Sequence, residues 1–242
     1  MRDARPRSCS RIFGILAASL ALACAAPAPP PPSPGTATAW GFVRLVPREG
    51  VTPLGPGAGS AYEKPGTRGV DLVDYSKPGF VVVYLEGTAS PAGSATLRIR
   101  DGRRHPVLAP AHAAVGVGGT LRLENTTAVV HSFSMPAAGW LRSLGPGEAL
   151  ELPLSEAGER SLFLLDVPEA EAHLFVAPGR FAVAAPSGHF ELRDVTPGRL
   201  QLNAWHPRFP ARVHPLELGS GDVVRVDLEL GVGTLGGAAD GG

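Results

Sequence analysis

Outside its first residues the chain is predicted to be all-β. Three features point that way. Apolar and polar residues alternate with a period of two in many short runs, the pattern of half-buried strands. Gly and Pro, 31 and 25 of the 242 residues, punctuate those runs as turn formers. No long segment beyond the N-terminus carries a 3.6-residue period, so short strands joined by many turns are the expected product.

Residues 1–23 read as a targeting segment. Arg2, Arg5, Arg7 and Arg11 form a basic head, and an uncharged apolar stretch follows. That stretch is too short to span a bilayer and has the length of a signal core. Leu20-Ala21-Leu22-Ala23-Cys24 then has the form of a lipobox, with Ala21 where Leu is commoner. Acylation of Cys24 would anchor the mature N-terminus in a membrane, each buried methylene contributing about 0.8 kcal/mol. Residues 24–38 are rich in Ala and Pro, with Pro29, Pro30, Pro31, Pro32 and Pro34 close together. Proline fixes φ and removes donors, so this segment is expected to be a polyproline-type spacer.

Lys plus Arg and Asp plus Glu are equal at 22 each. No basic stripe is present, which disfavours nucleic-acid binding. The two cysteines are Cys9 and Cys24. The first leaves with the signal and the second takes the acyl group, so no disulfide is expected. About 200 remaining residues suffice for a core without covalent staples.

In the mature chain, residues 39–47 read as a strand, 48–78 as a loop and 80–86 as a strong strand. Residues 96–100 form another, with Leu97 and Ile99 on one face. The stretch from Val115 to Val176 follows. Within it Leu121 and Leu123 alternate with Arg122 and Glu124, and Glu124-Asn125-Thr126-Thr127 supplies a turn. An extended run over 129–133 holds His131 in its middle. Residues 149–154 alternate again, 161–165 are apolar, and 172–176 close the segment. After Pro178, alternating strands flank Thr196-Pro197-Gly198, and 212–218 and 223–230 are two more. Residues 231–242 form a Gly/Ala tail without apolar pattern.

The central stretch resembles the cupredoxin domains of plastocyanin-like and methylamine-utilisation-type envelope proteins. Gly119-Thr120, Asn125, His131 and Phe133 carry the likeness. The family then has an aromatic-Cys-x-x-His-x-x-Met run. Here Phe163 keeps the aromatic, but Leu164, Val167 and Ala170 stand at the Cys, His and Met positions. The resemblance implies a cupredoxin-like β-sandwich in which His131 alone keeps a ligand position. It therefore implies no cofactor; copper enters only under an alternative in which His131 acts with other histidines. The flanking strands resemble a transthyretin-like or carboxypeptidase-regulatory-like sandwich, through Gly188-His189-Phe190-Glu191-Leu192 and Pro197-Gly198-Arg199-Leu200-Gln201-Leu202. Residues 39–90 plus 178–230 are expected to form that sandwich. The cupredoxin-like domain, 94–177, is expected to be inserted in it or packed beside it.

The other candidate groups read as ordinary. Met135 is assigned to packing. His173, His189, His206 and His214 have irregular spacing and would hold zinc or copper only if their strands converged. Trp205-His206-Pro207 is assigned to local packing. Ser132 and Ser134 flank His131, but no nucleophile elbow is present and neighbouring strand residues face opposite ways, so no enzyme is expected. Trp40, Trp140 and Tyr84 are the aromatics that could meet a glycan. The function expected is that of an exported, membrane-anchored envelope lipoprotein, periplasmic or at the outer membrane, which binds or scaffolds an envelope protein or ligand.

Overall fold

The computed structural model describes residues 28–47 and 74–231. The signal, Cys24, most of the 48–78 loop and the tail beyond Gly231 lie outside the described residues. Among those described there is no α-helix, and the structure is all-β. The early strands are β1 (Ala37–Leu45) and β2 (Val82–Leu85). The middle strands are β3 (Ser94–Arg100), β4 (Val107–Ala109), β5 (His112–Gly116), β6 (Gly119–Asn125), β7 (His131–Met135), β8 (Trp140–Leu144), β9 (Ala149–Leu154), β10 (Gly158–Leu164) and β11 (Glu171–Ala177). The late strands are β12 (Phe181–Val183), β13 (His189–Val195), β14 (Gly198–His206), β15 (Phe209–Leu218), β16 (Val223–Arg225) and β17 (Leu228–Leu230).

Strands β4, β5 and β8 lie where the alternation in the sequence is weakest. Ala109-Pro110-Ala111-His112-Ala113-Ala114 has little contrast between its faces, and β8 has only Leu144 fully buried. These strands are set by their neighbours. β5 lies parallel to β11, and β8 extends the sheet beyond β7.

The middle strands make two sheets, β4-β3-β6-β9 and β5-β11-β10-β7-β8. Their inner faces meet in one core containing Leu97, Ile99, Leu121, Leu123, Phe133 and Leu174. β6 alternates buried and half-buried residues along its whole length, with Arg122 and Glu124 outward. Those two join Arg98 and Glu151 in an ion-pair ladder across β3, β6 and β9. Such exposed pairs add little energy individually but suit the observed register.

The early and late strands make two further sheets. β1 pairs antiparallel with β13 and parallel with β16 and β17, while β12-β2-β14-β15 forms the other. Val43, Val83, Leu85, Phe190, Leu192 and Leu202 fill the space between them. β13 and β14, which flank the Thr196-Pro197-Gly198 turn, do not pair with each other; the turn sends the chain from one sheet to the other. Between Leu85 and Ser94 the chain passes into the middle strands, and after Ala177 it returns. Both crossings are tied together: Ser90 Oγ donates to Ala177 O at 3.2 Å, and Thr88 Oγ1 accepts from Arg180 N–H at 2.9 Å.

The two pairs of sheets meet along an aromatic seam. Val81, Val83 and Leu85 face one core, so Val82 and Tyr84 face the other way, against Phe175 and Trp205. Phe175 stacks on Trp205 with ring centroids 4.6 Å apart, and Tyr84 tilts against Phe175 at 5.3 Å. His112 is stacked between Phe80 at 5.3 Å and His173 at 5.5 Å. Aromatic pairs of this kind contribute about 0.5–1.5 kcal/mol each beyond their burial. His206 lies beside the seam, buried, with Nδ1 accepting from Arg208 N–H at 2.9 Å. Burial, then the Arg208 cation and His112, push its pKa from 6.5 down to about 4. Burial and the neighbouring His173 lower that of His112, with Glu171 opposing.

Two outcomes follow from this arrangement. All strand partners of β1 and β2 come from β12–β17. A chain ending at Ala177 should therefore aggregate, its unpaired strands exposing apolar faces; a soluble product that unfolds cooperatively would contradict this pairing. The second concerns pH. The folded chain binds fewer protons at His206 than the unfolded chain does, because its pKa there is depressed. The stability that this site contributes is full above pH 6.5 and is lost as pH falls towards about 4. Thermal melts across that window should show a falling midpoint, and His206→Gln should fall less steeply. Parallel curves for the two proteins would remove His206 as a cause.

Candidate functional site

His131 opens β7 and is 1% exposed, so both ring nitrogens need partners inside the protein. Nδ1 lies 2.6 Å from Asp166 Oδ2, and Nε2 lies 3.0 Å from Thr127 Oγ1. The turn before β7 fixes the second contact. Asn125 Nδ2 donates to Val129 O at 2.7 Å and to Leu144 O at 2.8 Å, which orients the amide. Its Oδ1 then accepts from Thr127 N–H at 3.0 Å and from the Thr127 hydroxyl at 2.8 Å. An ionised carboxylate only accepts, so Nδ1 donates to Asp166, and Nε2 meets the Thr127 hydroxyl, which also lies 2.8 Å from Asn125 Oδ1 and 3.2 Å from Val129 O.

The loop after β10 supplies the other side. Leu164 N–H donates to Ala170 O at 3.0 Å and Ala170 N–H to Val167 O at 2.8 Å, closing the loop on itself. Leu165 N–H donates to Ser132 O at 2.8 Å, docking the loop beside β7. Leu164, Val167 and Ala170 all turn into the core that holds Phe133 and Met135. Asp166 points the other way, its side chain 42% exposed, and reaches His131 from the surface. The structure thus brings the loop 164–170 to His131, and the contact is made by the Asp166 carboxylate on the imidazole.

These residues do not fit a blue-copper centre. Such a centre needs a thiolate, two imidazoles and a weak axial ligand. Leu164, Val167 and Ala170 have no donor atoms in their side chains, and no cysteine occurs after Cys24. Met135 is fully buried in the core and pairs with Trp140, at the far end of β7 from His131. Among the described residues, no group of three or more His, Cys, Asp or Glu is arranged to hold a metal ion.

The other histidines stand apart from this site. His173 is in the seam, between Glu159 and Glu171 at 3.4 and 3.6 Å. His206 packs against Phe209, and His189 against Trp40 and Phe42. His214 is exposed on β15. Ser132 faces away from His131 and bonds Ser143 Oγ at 2.9 Å. Sequence reasoning missed Asp166, which lies 35 positions from its partner and carries no local signal. Thr127 stood out only as a turn residue, and Asn125 as a turn residue that also carries the family likeness, yet together they hold the imidazole.

No protein-family model matches the chain, and no curated protein does. Solved structures that resemble part of it include cupredoxins. One is described as a novel purple cupredoxin from Nitrosopumilus maritimus; it is 19% identical, with 34% of this chain aligned to 99% of that one at a TM-score of 0.30. A methionine-to-alanine mutant of amicyanin in its Cu(I) form is 18% identical, with 39% of this chain aligned to 97% of that one, also at 0.30. At these scores the likeness is weak, and what those proteins bind is not thereby a property of this chain.

Proposed function

We propose that this is a non-enzymatic, membrane-anchored envelope lipoprotein whose cupredoxin-like domain, 94–177, binds or scaffolds a partner and has exchanged metal chemistry for internal packing. In this reading the domain is inserted between the two halves of a regulatory-like sandwich, 39–90 and 178–230. The carrying observation is that both nitrogens of His131 have protein partners while Leu164, Val167 and Ala170 fill the core. The basic head, apolar core and Cys24 support export and anchoring, and the Pro-rich 24–38 segment would hold the domains off the membrane. Each large side chain fully buried in the former ligand loop contributes about 1.5–3 kcal/mol, a gain that polar ligands there would forgo.

One observation favours the alternative of weak copper handling: the Asp166 side chain is 42% exposed, so its movement would free Nδ1 of His131. Copper titration separates the two. The purified mature protein should show no blue colour with Cu(II) and no thermal stabilisation, since a ligand stabilises only what it binds in the folded state. Asp166→Ala should lower stability by about 1–3 kcal/mol by leaving Nδ1 without a partner. Saturable Cu(II) binding that raises the wild-type melting midpoint and is lost in His131→Gln would establish copper handling instead.

A further inference from the structure

A second concave site lies at the far end of the β7–β8 hairpin from His131. His131 pairs with Leu144, whereas Trp140 pairs with Met135 at the opposite end. Trp140 is half-buried: it packs against the core and also lines a cavity of about 320 Å³. Ala138 and Leu154 add small apolar walls, and Ser155, Glu156 and Arg160 stand at the rim. That volume is at the lower end of the range for small-molecule sites, about 300–1,000 Å³.

The rim is held in place. The Arg160 side chain is only 12% exposed, and its guanidinium donates to Glu159 O at 2.9 Å and to Glu156 O at 3.2 Å. It also meets the Glu156 carboxylate at 3.4 Å. A guanidinium has five N–H donors, so these bonds leave donors available to a ligand. The carboxylate balances the cation, which removes the advantage an anionic ligand would have. What the site offers is an aromatic face, a charge-neutral rim rich in directional donors and acceptors, and room for a compact molecule.

We propose that this cavity binds one or two rings of a neutral saccharide. The C–H face of a sugar ring would lie on the indole, an apolar body with a polar N–H at its edge. Adjacent hydroxyls would donate to the Glu156 carboxylate and accept from Arg160, charge-assisted bonds about twice as strong as neutral ones. Ser155 can serve in either role. This site is independent of His131, and its test does not depend on whether metal binds there.

The test is calorimetric titration of the purified mature protein with cellobiose, maltose and N,N′-diacetylchitobiose. At least one should bind saturably at a single site. Trp140→Phe, which keeps an aromatic ring against the core, should weaken it severalfold, and Trp140→Ala at least tenfold. Glu156 is exposed and its loss should not disturb folding, so a severalfold weakening in Glu156→Gln would report the rim directly. Absence of saturable heat with all three sugars would overturn the proposal. So would binding that Trp140→Phe and Glu156→Gln both leave unchanged.

Discussion

An imidazole buried in an apolar core is tolerated only when both nitrogens are hydrogen-bonded. His131 meets that requirement through two loops that are otherwise separate. On one side Asn125 grips Val129 O and Leu144 O, joining the turn before β7 to the end of β8, and presents the Thr127 hydroxyl. On the other side Asp166 pins the loop after β10 from the surface. With that loop held, Leu164, Val167 and Ala170 can face inward and close the end of the sandwich. The same contacts that satisfy the histidine therefore shape the loop 164–170 beside it.

Much of the architecture was legible in the residues, because most strands have one buried and one wet face. β6 is the clearest case, Leu121 and Leu123 inward and Arg122 and Glu124 outward. Strands buried on both faces were legible as strands but not in their second contact. Val82, Tyr84 and Phe175 break the alternation, and each turns out to line the seam between the two pairs of sheets. β4, β5 and β8 carry too little contrast to be read, since their positions come from pairing with better-defined neighbours. At the candidate site the absence of side-chain donors at Leu164, Val167 and Ala170 was visible in the sequence. The Asp166 contact was not, because only the fold brings residues 35 positions apart within hydrogen-bonding distance.

The seam gives the molecule a second dependence. Trp205 and Phe175 stack across it, and His112 is held between Phe80 and His173. Aromatic and imidazole rings at such a boundary add area and shape, but they also admit charge when protons are added. The ties from Ser90 to Ala177 and from Thr88 to Arg180 keep both chain crossings together at its edge. The His131 end of the middle strands and the Trp140 cavity both lie away from this boundary, on a hairpin that remains accessible.

The central claim is that His131 belongs to an internal hydrogen-bond network and not to a metal site. Long-range ¹H–¹⁵N correlation spectroscopy of the histidine rings tests it most directly, with His131 assigned by comparison with His131→Gln. The account predicts that Nδ1 bears a hydrogen, slowly exchanging and held by Asp166, and that the His131 signals persist when Cu(II) is added. A bare Nδ1, or selective loss of the His131 signals at the first additions of Cu(II), would contradict it.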